Sequence, residues 1–326
     1  DTDTVRRDVA RHYDNIVALD AWVGKMLAEL EASGEDDNTI VFFYGDHGDG
    51  LPRHKRWVYD SGTRVPLLVR WPDGKGAGTV DTQLVSFVDF APSVLALAGL
   101  PLPDYLEGQD VLSDARPPAR THVFAFRDRM DPAPETIRAV RDHRYQYVRN
   151  YRPELPYLGY LPYRDRVAMM TDIKAAAPTL ERWQFWAQSK PLEELYDTQT
   201  DPHQVRNLAG EPAFFSKLAE LRGVLDEFQV AHTDLNLLPD AEIIQSLWGA
   251  NGEQPVTENP KLGPVLAGHE SMMTFLEPPG VSIIWRPLGE ERWRLYSGPI
   301  GERAKPLEAQ AWRIGWRPSE ILTFAR

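Results

Sequence analysis

Two adjacent residues, Asp46 and His47, combine the oxygen and nitrogen donors with which proteins bind divalent cations. They lie in the polar segment 45–50, directly after the apolar run 38–44. Two ligands are fewer than a complete metal site needs, and a turn aspartate that accepts backbone N–H bonds is the alternative role for Asp46. The pair therefore predicts either part of a metal site or a tight turn.

A basic segment follows, in which Arg53, His54, Lys55 and Arg56 are consecutive in a chain of net charge −12. A metal cation beside clustered lysine and arginine can hold a tetrahedral oxyanion and neutralise the charge that develops on it. A solvated basic loop is the alternative. If the metal pair and the basic segment converge, this part of the chain is suited to anion chemistry.

The elements that position these residues follow from the spacing of apolar residues. Steps of three and four predict an amphipathic helix over 5–30, ended by Gly34. The run 38–44 predicts a strand buried on both faces of a parallel sheet, whose carboxyl end is where open α/β sheets bind ligands. A second strand is predicted at 65–69 and a helix at 89–97.

The pattern changes after about residue 118. Alternating residues at 136–141 and 145–149, joined by a turn at Asp142 and His143, predict an antiparallel hairpin. Further elements are predicted as a strand at 123–126, helices at 165–188 and 212–231, and short strands of a small β-sandwich at 281–285, 293–296 and 307–312.

Composition excludes several classes of protein. The 326 residues contain 36 Lys+Arg against 48 Asp+Glu, so the average field repels nucleic acids and anionic lipid surfaces. The absence of cysteine removes disulfides, thiolate metal sites and cysteine nucleophiles. No stretch approaches the ~20 apolar residues that cross a bilayer.

The order of the motifs resembles the second half of a type I, formylglycine-dependent sulfatase of the alkaline-phosphatase-like superfamily. The resemblance spans about residues 5 to 230. The motifs that carry it are 38–43, 46–48, Lys55, 59–67, 86–92, 192–197, 201–202 and 207–209. It implies an α/β fold, with the C-terminal part of a mixed sheet flanked by helices and a smaller antiparallel α+β subdomain.

The resemblance also implies roles for single residues. Asp46 and His47 match the family's metal pair, which would bind calcium or a similar divalent cation. Lys55 matches the catalytic lysine that stabilises the bridging oxygen of the leaving alcohol. His54 and Arg56 flank this lysine and are expected either to contact substrate or to face solvent.

Other side chains have an alternative structural role. Arg64 matches a family position, and we expect it to pair with a carboxylate such as Asp60. Five alternating arginines predict either a basic sheet face or an ordinary charged outer face; they are Arg138, Arg141, Arg144, Arg149 and Arg152. Tyr157, Tyr160 and Tyr163 predict either an aromatic platform for sugar rings or irregular core packing.

The nucleophile of this family is not found in the chain. Formylglycine forms from a Cys/Ser-x-Pro-x-Arg motif, and the nearest segments, at 189–193 and 297–301, lack its arginine. The resemblance therefore predicts the C-terminal portion of an enzyme whose nucleophile and remaining metal ligands lie in an upstream segment or a second chain. The expected divisions are a core at 1–118, a subdomain at 119–250, a linker at 251–264 and a β-sandwich module at 265–326.

This last segment resembles the small module appended to chitobiases and β-hexosaminidases. We expect a spacer, and the alternative is glycan contact through tryptophans, which are Trp285, Trp293, Trp312 and Trp316. For the protein as a whole, the resemblance implies a periplasmic or extracellular sulfatase that acts on a sulfated carbohydrate. Phosphodiester or phosphonate monoester hydrolysis is the first alternative, and a non-catalytic fragment or glycan-binding module is the second.

Overall fold

The computed structural model describes residues 1–130, 134–176, 189–264, 268, 272–301 and 306–325. These residues form a mixed α/β protein with two compact units, Asp1–Leu237 and Leu238–Arg326. The helices of the first unit are α1 (Asp3–Ser33), α2 (Asp60–Thr63), α3 (Phe90–Leu97), α4 (Met169–Ala176) and α5 (Phe215–His232). Its strands are β1 (Val41–Tyr44), β2 (Leu67–Arg70), β3 (Val123–Arg127), β4 (Ile137–Arg141), β5 (Tyr145–Asn150) and β6 (Glu193–Asp197).

Helix α1 begins and ends at capping residues. The Thr2 hydroxyl accepts the Val5 N–H, and Gly34 adopts φ 73° and donates its N–H to Glu31. No residue of α1 is buried, so its apolar residues are exposed to a large extent. The helix is amphipathic, as the spacing predicts, but its apolar face is open in the described structure.

Strands β1 and β2 pair antiparallel, from Val41 opposite Arg70 to Tyr44 opposite Leu67. The prediction of a doubly buried parallel strand is therefore wrong for the described residues, since every β1 residue is partly or fully exposed. An apolar run shows that a strand forms but does not identify its neighbours. A ribbon of two four-residue strands has too few neighbours to cover both faces.

The larger sheet of the first unit has the antiparallel order β3-β4-β5-β6. It contains the predicted hairpin, whose turn is closed by Asp142 Oδ1, the acceptor of the Arg144 and Tyr145 N–H groups. Helix α5 packs on one face, and the segment 57–59 packs on the other. The sheet therefore supports, through this segment, the loop that carries Lys55.

Helix α4 covers the first part of the predicted helix 165–188, and residues 177–188 lie outside the described residues. The five arginines between residues 138 and 152 do not form a basic face, because each one pairs with a carboxylate. The pairs are Arg138 with Asp128 and Asp234, Arg141 with Asp60, Arg144 with Asp197, Arg149 with Asp226, and Arg152 with Glu154.

The second unit contains α6 (Asp240–Trp248), β7 (Val281–Pro287), β8 (Arg294–Leu295), β9 (Leu307–Arg313) and β10 (Leu322–Phe324). Its strands form one antiparallel sheet in the order β10-β9-β7-β8. The inner face packs against Met273, Phe275, Tyr296 and Ile300. This opposing layer consists of extended segments joined by isolated bridges, where the sequence predicts the second sheet of a sandwich.

Candidate active site

The polar segment after β1 continues as a loop over residues 45–59 and folds back on α2. The Gly48 N–H donates to the Gly62 carbonyl at 2.9 Å. A Cβ on Gly48 would lie 1.9 Å from the Ser61 carbonyl oxygen, and one on Gly62 would lie 2.1 Å from the Trp57 oxygen. Only glycine fits these two positions, because any side chain would overlap with backbone atoms.

Asp46 and His47 lie at the start of this loop, with Oδ2 of the aspartate 3.3 Å from Nε2 of the histidine. The Asp46 side chain is 81% exposed, and Nδ1 of His47 is 2.8 Å from the Gly48 carbonyl oxygen. A carboxylate oxygen and an imidazole nitrogen this close can bind one cation together. Among the described residues, no group of three or more histidines, aspartates and glutamates has the arrangement of a metal site.

The aspartate that organises the loop is Asp49, which the sequence analysis does not identify. Its carboxylate contacts His54 at 2.8 Å and His12 of α1 at 3.4 Å, and it accepts the Leu51 N–H. Its backbone carbonyl accepts the Lys55 N–H at 3.0 Å. Asp49 thus takes the turn role that was the alternative for Asp46. It also holds His54 through its carboxylate and Lys55 through its backbone carbonyl.

Burial lowers the pKa of His54, while the neighbouring Asp49 charge opposes the shift and Arg53 and His12 reinforce it. The depressed pKa favours the neutral imidazole near neutral pH. His54 is therefore expected to act in this loop as a neutral hydrogen-bonding group rather than as a fixed positive charge.

Lys55 and Arg56 extend toward Tyr163, with the Lys55 Nζ 5.4 Å and the Arg56 Cζ 4.9 Å from the ring centroid. Tyr163 is 36% exposed, whereas Tyr157 is buried in the core and Tyr160 is 65% exposed. The three tyrosines therefore do not share one platform. Tyr163 lies beside Lys55 and Arg56 of the basic segment.

Two residues that flank Lys55 have left-handed backbone angles, with φ 65° at Arg53 and φ 74° at Arg56. Side chains other than glycine, asparagine and aspartate rarely adopt this region, and such strain persists only where surrounding contacts impose it. Arg53 shows these contacts, because its guanidinium donates to the carbonyls of His203 and Gln204 at 2.7 and 2.6 Å. Its Cζ also lies 4.0 Å from the centroid of the Tyr59 ring.

Asp60, at the start of α2, pairs with Arg141 of β4 through two hydrogen bonds of 2.8 and 2.9 Å. The predicted ion pair between Asp60 and Arg64 is therefore wrong. Arg64 contacts Asp60 through its backbone N–H, and Arg64 itself is exposed. The Asp60 N–H donates to the buried Gln204 side chain, so α2 is tied to both the sheet and the turn that holds Arg53.

Beneath the loop, Glu194 of β6 is fully buried and accepts four hydrogen bonds. The donors are the hydroxyls of Tyr59, Tyr157 and Tyr196 and the side-chain amide of Asn150, at 2.6 to 3.0 Å. Burial, reinforced by the Glu194 charge, raises the pKa of all three tyrosines, which therefore stay protonated as donors. This network joins the loop to β5 and β6, and the sequence motif 192–197 did not reveal its role.

Residues 1–100 match the family model described as Sulfatase. An ulvan-active sulfatase of Formosa agariphila is 40% identical over 100% of this chain and 56% of its own length. The human N-sulphoglucosamine sulphohydrolase is 28% identical over 76% of this chain and 52% of its own length. The chain thus spans about half the length of these curated relatives.

Two solved structures are also similar. One is a protein in complex with its substrate D-glucosamine-2-N,6-O-disulfate, at TM-score 0.49 and 23% identity over 68% of this chain and 40% of that one. The other is the phosphonate monoester hydrolase of Agrobacterium radiobacter, at TM-score 0.47 and 20% identity over 67% of this chain and 40% of that one. Within the described ranges, every helix is too short or too polar to cross a bilayer. The ulvan-active sulfatase aligns with the full length of this chain, and residues 1–100 match the family model. The chain therefore belongs to the sulfatase family.

Proposed function

We propose that the protein carrying this chain is a sulfuric ester hydrolase that acts on a sulfated carbohydrate. The observation that carries the proposal is Lys55, held between two strained residues in the same loop as the Asp46–His47 pair. Two relatives support the substrate class by their names, the ulvan-active sulfatase of Formosa agariphila and the N-acetylglucosamine-6-O-sulfatase of Bacteroides thetaiotaomicron.

Lys55 is proposed as the catalytic group on the leaving-alcohol side. An ammonium group that donates to the bridging oxygen stabilises the negative charge that grows there as the sulfur–oxygen bond breaks. The backbone bond from Lys55 to Asp49 and the Tyr163 ring beside its Nζ support a fixed position for this group. His54 and Arg56, on either side, are proposed to contact the substrate.

Asp46 and His47 are proposed to hold a divalent cation, most simply calcium. The pair offers a largely exposed carboxylate oxygen, the ligand type that calcium prefers, and an imidazole nitrogen 3.3 Å from it. A bound cation would supply positive charge to the non-bridging sulfate oxygens. Because the Asp46 and His47 side chains already contact each other, less conformational entropy is lost when both bind the same cation.

An upstream segment or a second chain is proposed to complete this site with a formylglycine nucleophile and further metal ligands. The open apolar face of α1 and the partly exposed β1 support such a neighbour, since apolar side chains of this number are usually covered. We also propose a periplasmic or extracellular location, in line with relatives such as the extracellular sulfatase SULF-1 homolog of Drosophila melanogaster.

The test is a sulfate-release assay on the complete protein from its native host. Ulvan oligosaccharides, N-acetylglucosamine 6-sulfate and N-sulfoglucosamine are the sulfated substrates, and a phosphonate monoester is the competing one. We expect inorganic sulfate from at least one sulfated sugar, and about 10²–10³-fold slower release from the Lys55→Ala variant prepared in parallel. Turnover of the phosphonate alone would replace the proposal with its alternative, and no turnover of any substrate would reject it.

A further inference from the structure

Three polar side chains, His12, Asp49 and His54, connect helix α1 with the loop that carries Lys55. Oδ1 of Asp49 lies 2.8 Å from Nδ1 of His54, and Oδ2 lies 3.4 Å from Nε2 of His12. The Asp49 carboxylate also accepts the Leu51 N–H. It thus contacts the loop and the helix at the same time, and the His54 ring is oriented by a group that is itself fixed.

The partner of Nδ1 determines which nitrogen of the His54 ring carries the proton. A carboxylate can only accept hydrogen bonds, so the contact of 2.8 Å assigns a proton to Nδ1. Burial is the main cause that lowers the pKa of His54 and favours the neutral ring. A neutral imidazole has one N–H, and Nε2 therefore keeps a lone pair that can accept a hydrogen bond.

Nε2 of His54 has no hydrogen-bond partner among the residues that the structure describes. The hydrogen bonds of this residue run from Nδ1 to Asp49 and from its backbone to Leu51 and Trp57. Its side chain is 37% exposed, so the ring reaches solvent. The acceptor is therefore available to a ligand that approaches the loop.

Within the basic segment 53–56, His54 has the one side chain that can accept a hydrogen bond, since arginine and lysine only donate. A sulfate group only accepts, whereas a sugar hydroxyl can also donate. The Lys55 ammonium thus suits the sulfate ester, and the neutral imidazole beside it suits a hydroxyl. A sulfate or carboxylate at Nε2 would meet a lone pair and gain no hydrogen bond.

We propose that Nε2 of His54 accepts a hydrogen bond from an unsubstituted hydroxyl of the sugar, next to the ester that Lys55 contacts. Asp49 and His12 position the ring for this bond. The inference rests on the proposed function, because Lys55 at the ester is what places His54 beside the sugar. It makes His54 a specificity-determining residue, which selects sugars that carry a hydroxyl at that position rather than a further sulfate.

The state of the His54 ring can be tested without catalysis. Heteronuclear NMR of the complete protein, labelled at the histidine ring nitrogens, distinguishes a nitrogen that carries a proton from one that does not. The His54 signals are assigned by their absence from the His54→Gln spectrum. We expect a proton on Nδ1 and none on Nε2 near neutral pH. A proton on Nε2 would overturn the proposal.

Two variants separate the roles of the two ring nitrogens. His54→Asn keeps an N–H donor near the position of Nδ1 and has no atom at the position of Nε2. His54→Gln reaches the position of Nε2 with an amide whose oxygen can accept. Residue 54 is outside the left-handed region, so both side chains suit its backbone. The control is His143→Gln, at an exposed histidine in the turn of the β4–β5 hairpin.

The substrates are N-acetylglucosamine 6-sulfate and N-sulfoglucosamine, each with the analogues that lack a single ring hydroxyl. For one analogue of the hydrolysed sugar, we expect the wild type and His143→Gln to lose about ten-fold in kcat/KM, the size of one neutral hydrogen bond. His54→Asn should lower kcat/KM about ten-fold for the complete sugar and less than about two-fold for that analogue, and His54→Gln should restore part of the difference.

An equal loss in His54→Asn for the complete sugar and all its analogues would assign His54 to the cleaved ester and reject the proposal. If the complete protein releases no sulfate from any substrate, the proposed function fails. Calorimetric titration of the same sugars and analogues then decides the role of His54, since a hydroxyl preference in affinity that is equal in wild type and His54→Asn would also reject it.

Discussion

At the scale of single residues, the candidate site contains side chains that are proposed to contact the substrate and side chains that hold the loop in place. Lys55 is supported through its backbone, by the Asp49 carbonyl, while its side chain extends over Tyr163. Three other residues hold the loop in position and are not proposed to contact the substrate; they are Asp49, Arg53 and Gln204. Substitutions in the two groups should therefore differ in whether the stability of the fold changes together with activity.

Replacing Lys55 by alanine should lower kcat/KM for sulfate-ester hydrolysis by about 10²–10³-fold, the usual loss when one donor to a developing oxyanion is removed. The free energy of unfolding should change by less than about 0.5 kcal/mol, because the side chain is only half-buried. Activity is measured by sulfate release and stability by urea denaturation. Lys75→Ala, which removes an exposed lysine paired with Asp114, is the matched control. Unchanged turnover in Lys55→Ala would remove this residue from the mechanism.

Asp46→Ala should remove the stabilisation that calcium gives to the protein. A ligand at 100 times its Kd stabilises the folded state by about 2.7 kcal/mol, which raises Tm measurably. The experiment compares Tm with and without calcium in the wild type, in Asp46→Ala and in Asp114→Ala, whose carboxylate is also exposed. We expect the calcium-dependent rise in the first and third proteins. The same rise in Asp46→Ala would show that the Asp46–His47 pair is not a ligand pair.

At the scale of elements, the loop after β1 is determined by contacts between backbones. Gly48 and Gly62 let two backbone segments approach within hydrogen-bonding distance, and Arg53 and Gln204 tie the result to a turn far along the chain. Side-chain bonds of Arg53 and of the Asp49 carboxylate add to this backbone contact. A methyl group at either glycine should disturb the loop directly, because it overlaps with backbone atoms.

Gly48→Ala should destabilise the protein by at least about 1–3 kcal/mol, because the new methyl group overlaps with the Ser61 carbonyl and forces the backbone apart. Gly50→Ala provides the control in the same loop, since a Cβ there meets no atom within 4 Å and the residue is not in the left-handed region. Urea denaturation of both variants measures the difference. Equal stability of the two would mean that the close approach of residues 48 and 62 does not form in solution.

The sequence predicted most elements because their signals are local. Helix α1, the hairpin of β4 and β5, and helix α5 follow from spacing alone. The pairing of β1 was predicted wrongly, because an apolar run does not specify the direction of its neighbour. Side-chain partners were also missed. Asp60 pairs with Arg141, 81 residues later, and not with the nearby Arg64, and such a choice depends on the folded arrangement.

The candidate site likewise combines residues that local sequence identifies with residues that only the folded structure brings together. The metal pair, Lys55 and its neighbours are adjacent in sequence, so their types were visible. Tyr163 lies beside Lys55 and Arg127 lies beside Trp57 in the folded chain, and nothing in their local sequence indicates these contacts. Glu194 was visible as part of a motif, but three of its four donors, Tyr59, Asn150 and Tyr157, lie outside that motif.

At the scale of the whole molecule, acidic residues dominate the charge, yet many are engaged by arginine. Hydrogen bonds from Arg144, Arg222 and Arg138 are the main cause that lowers the pKa of Asp197, Glu193 and Asp234. For Asp197 the pKa falls to about 2. A carboxylate whose pKa is lower in the folded than in the unfolded state stabilises the fold above the unfolded pKa, about 3.9 for aspartate. That contribution is lost as the pH falls toward the folded pKa.

The contribution of these carboxylates should therefore stay constant from pH 7 to about pH 5 and be lost progressively between about pH 4 and pH 2. The depressed pKa of His54 adds a smaller loss of stability as the pH falls below about 6.5, the unfolded histidine value. Urea midpoints measured across this range test the expectation. Asp197→Asn should lower the midpoint at pH 7 and reduce its change toward pH 2, because the variant has one fewer carboxylate to protonate. A wild-type midpoint that is the same at pH 3 and pH 7 would contradict the assignment of these ion pairs to the folded state.

The bonds from Arg53 to His203 and Gln204 join residues 150 and 151 positions apart. During synthesis on the ribosome, the loop that carries Lys55 emerges long before the turn that holds it. A nascent chain that ends before residue 203 contains the lysine proposed as catalytic but lacks the two carbonyls to which Arg53 donates. Assembly of the site is thus a late event of biosynthesis, and contacts of such long sequence separation are those that form slowly. Chains released early would bear the motif without the geometry.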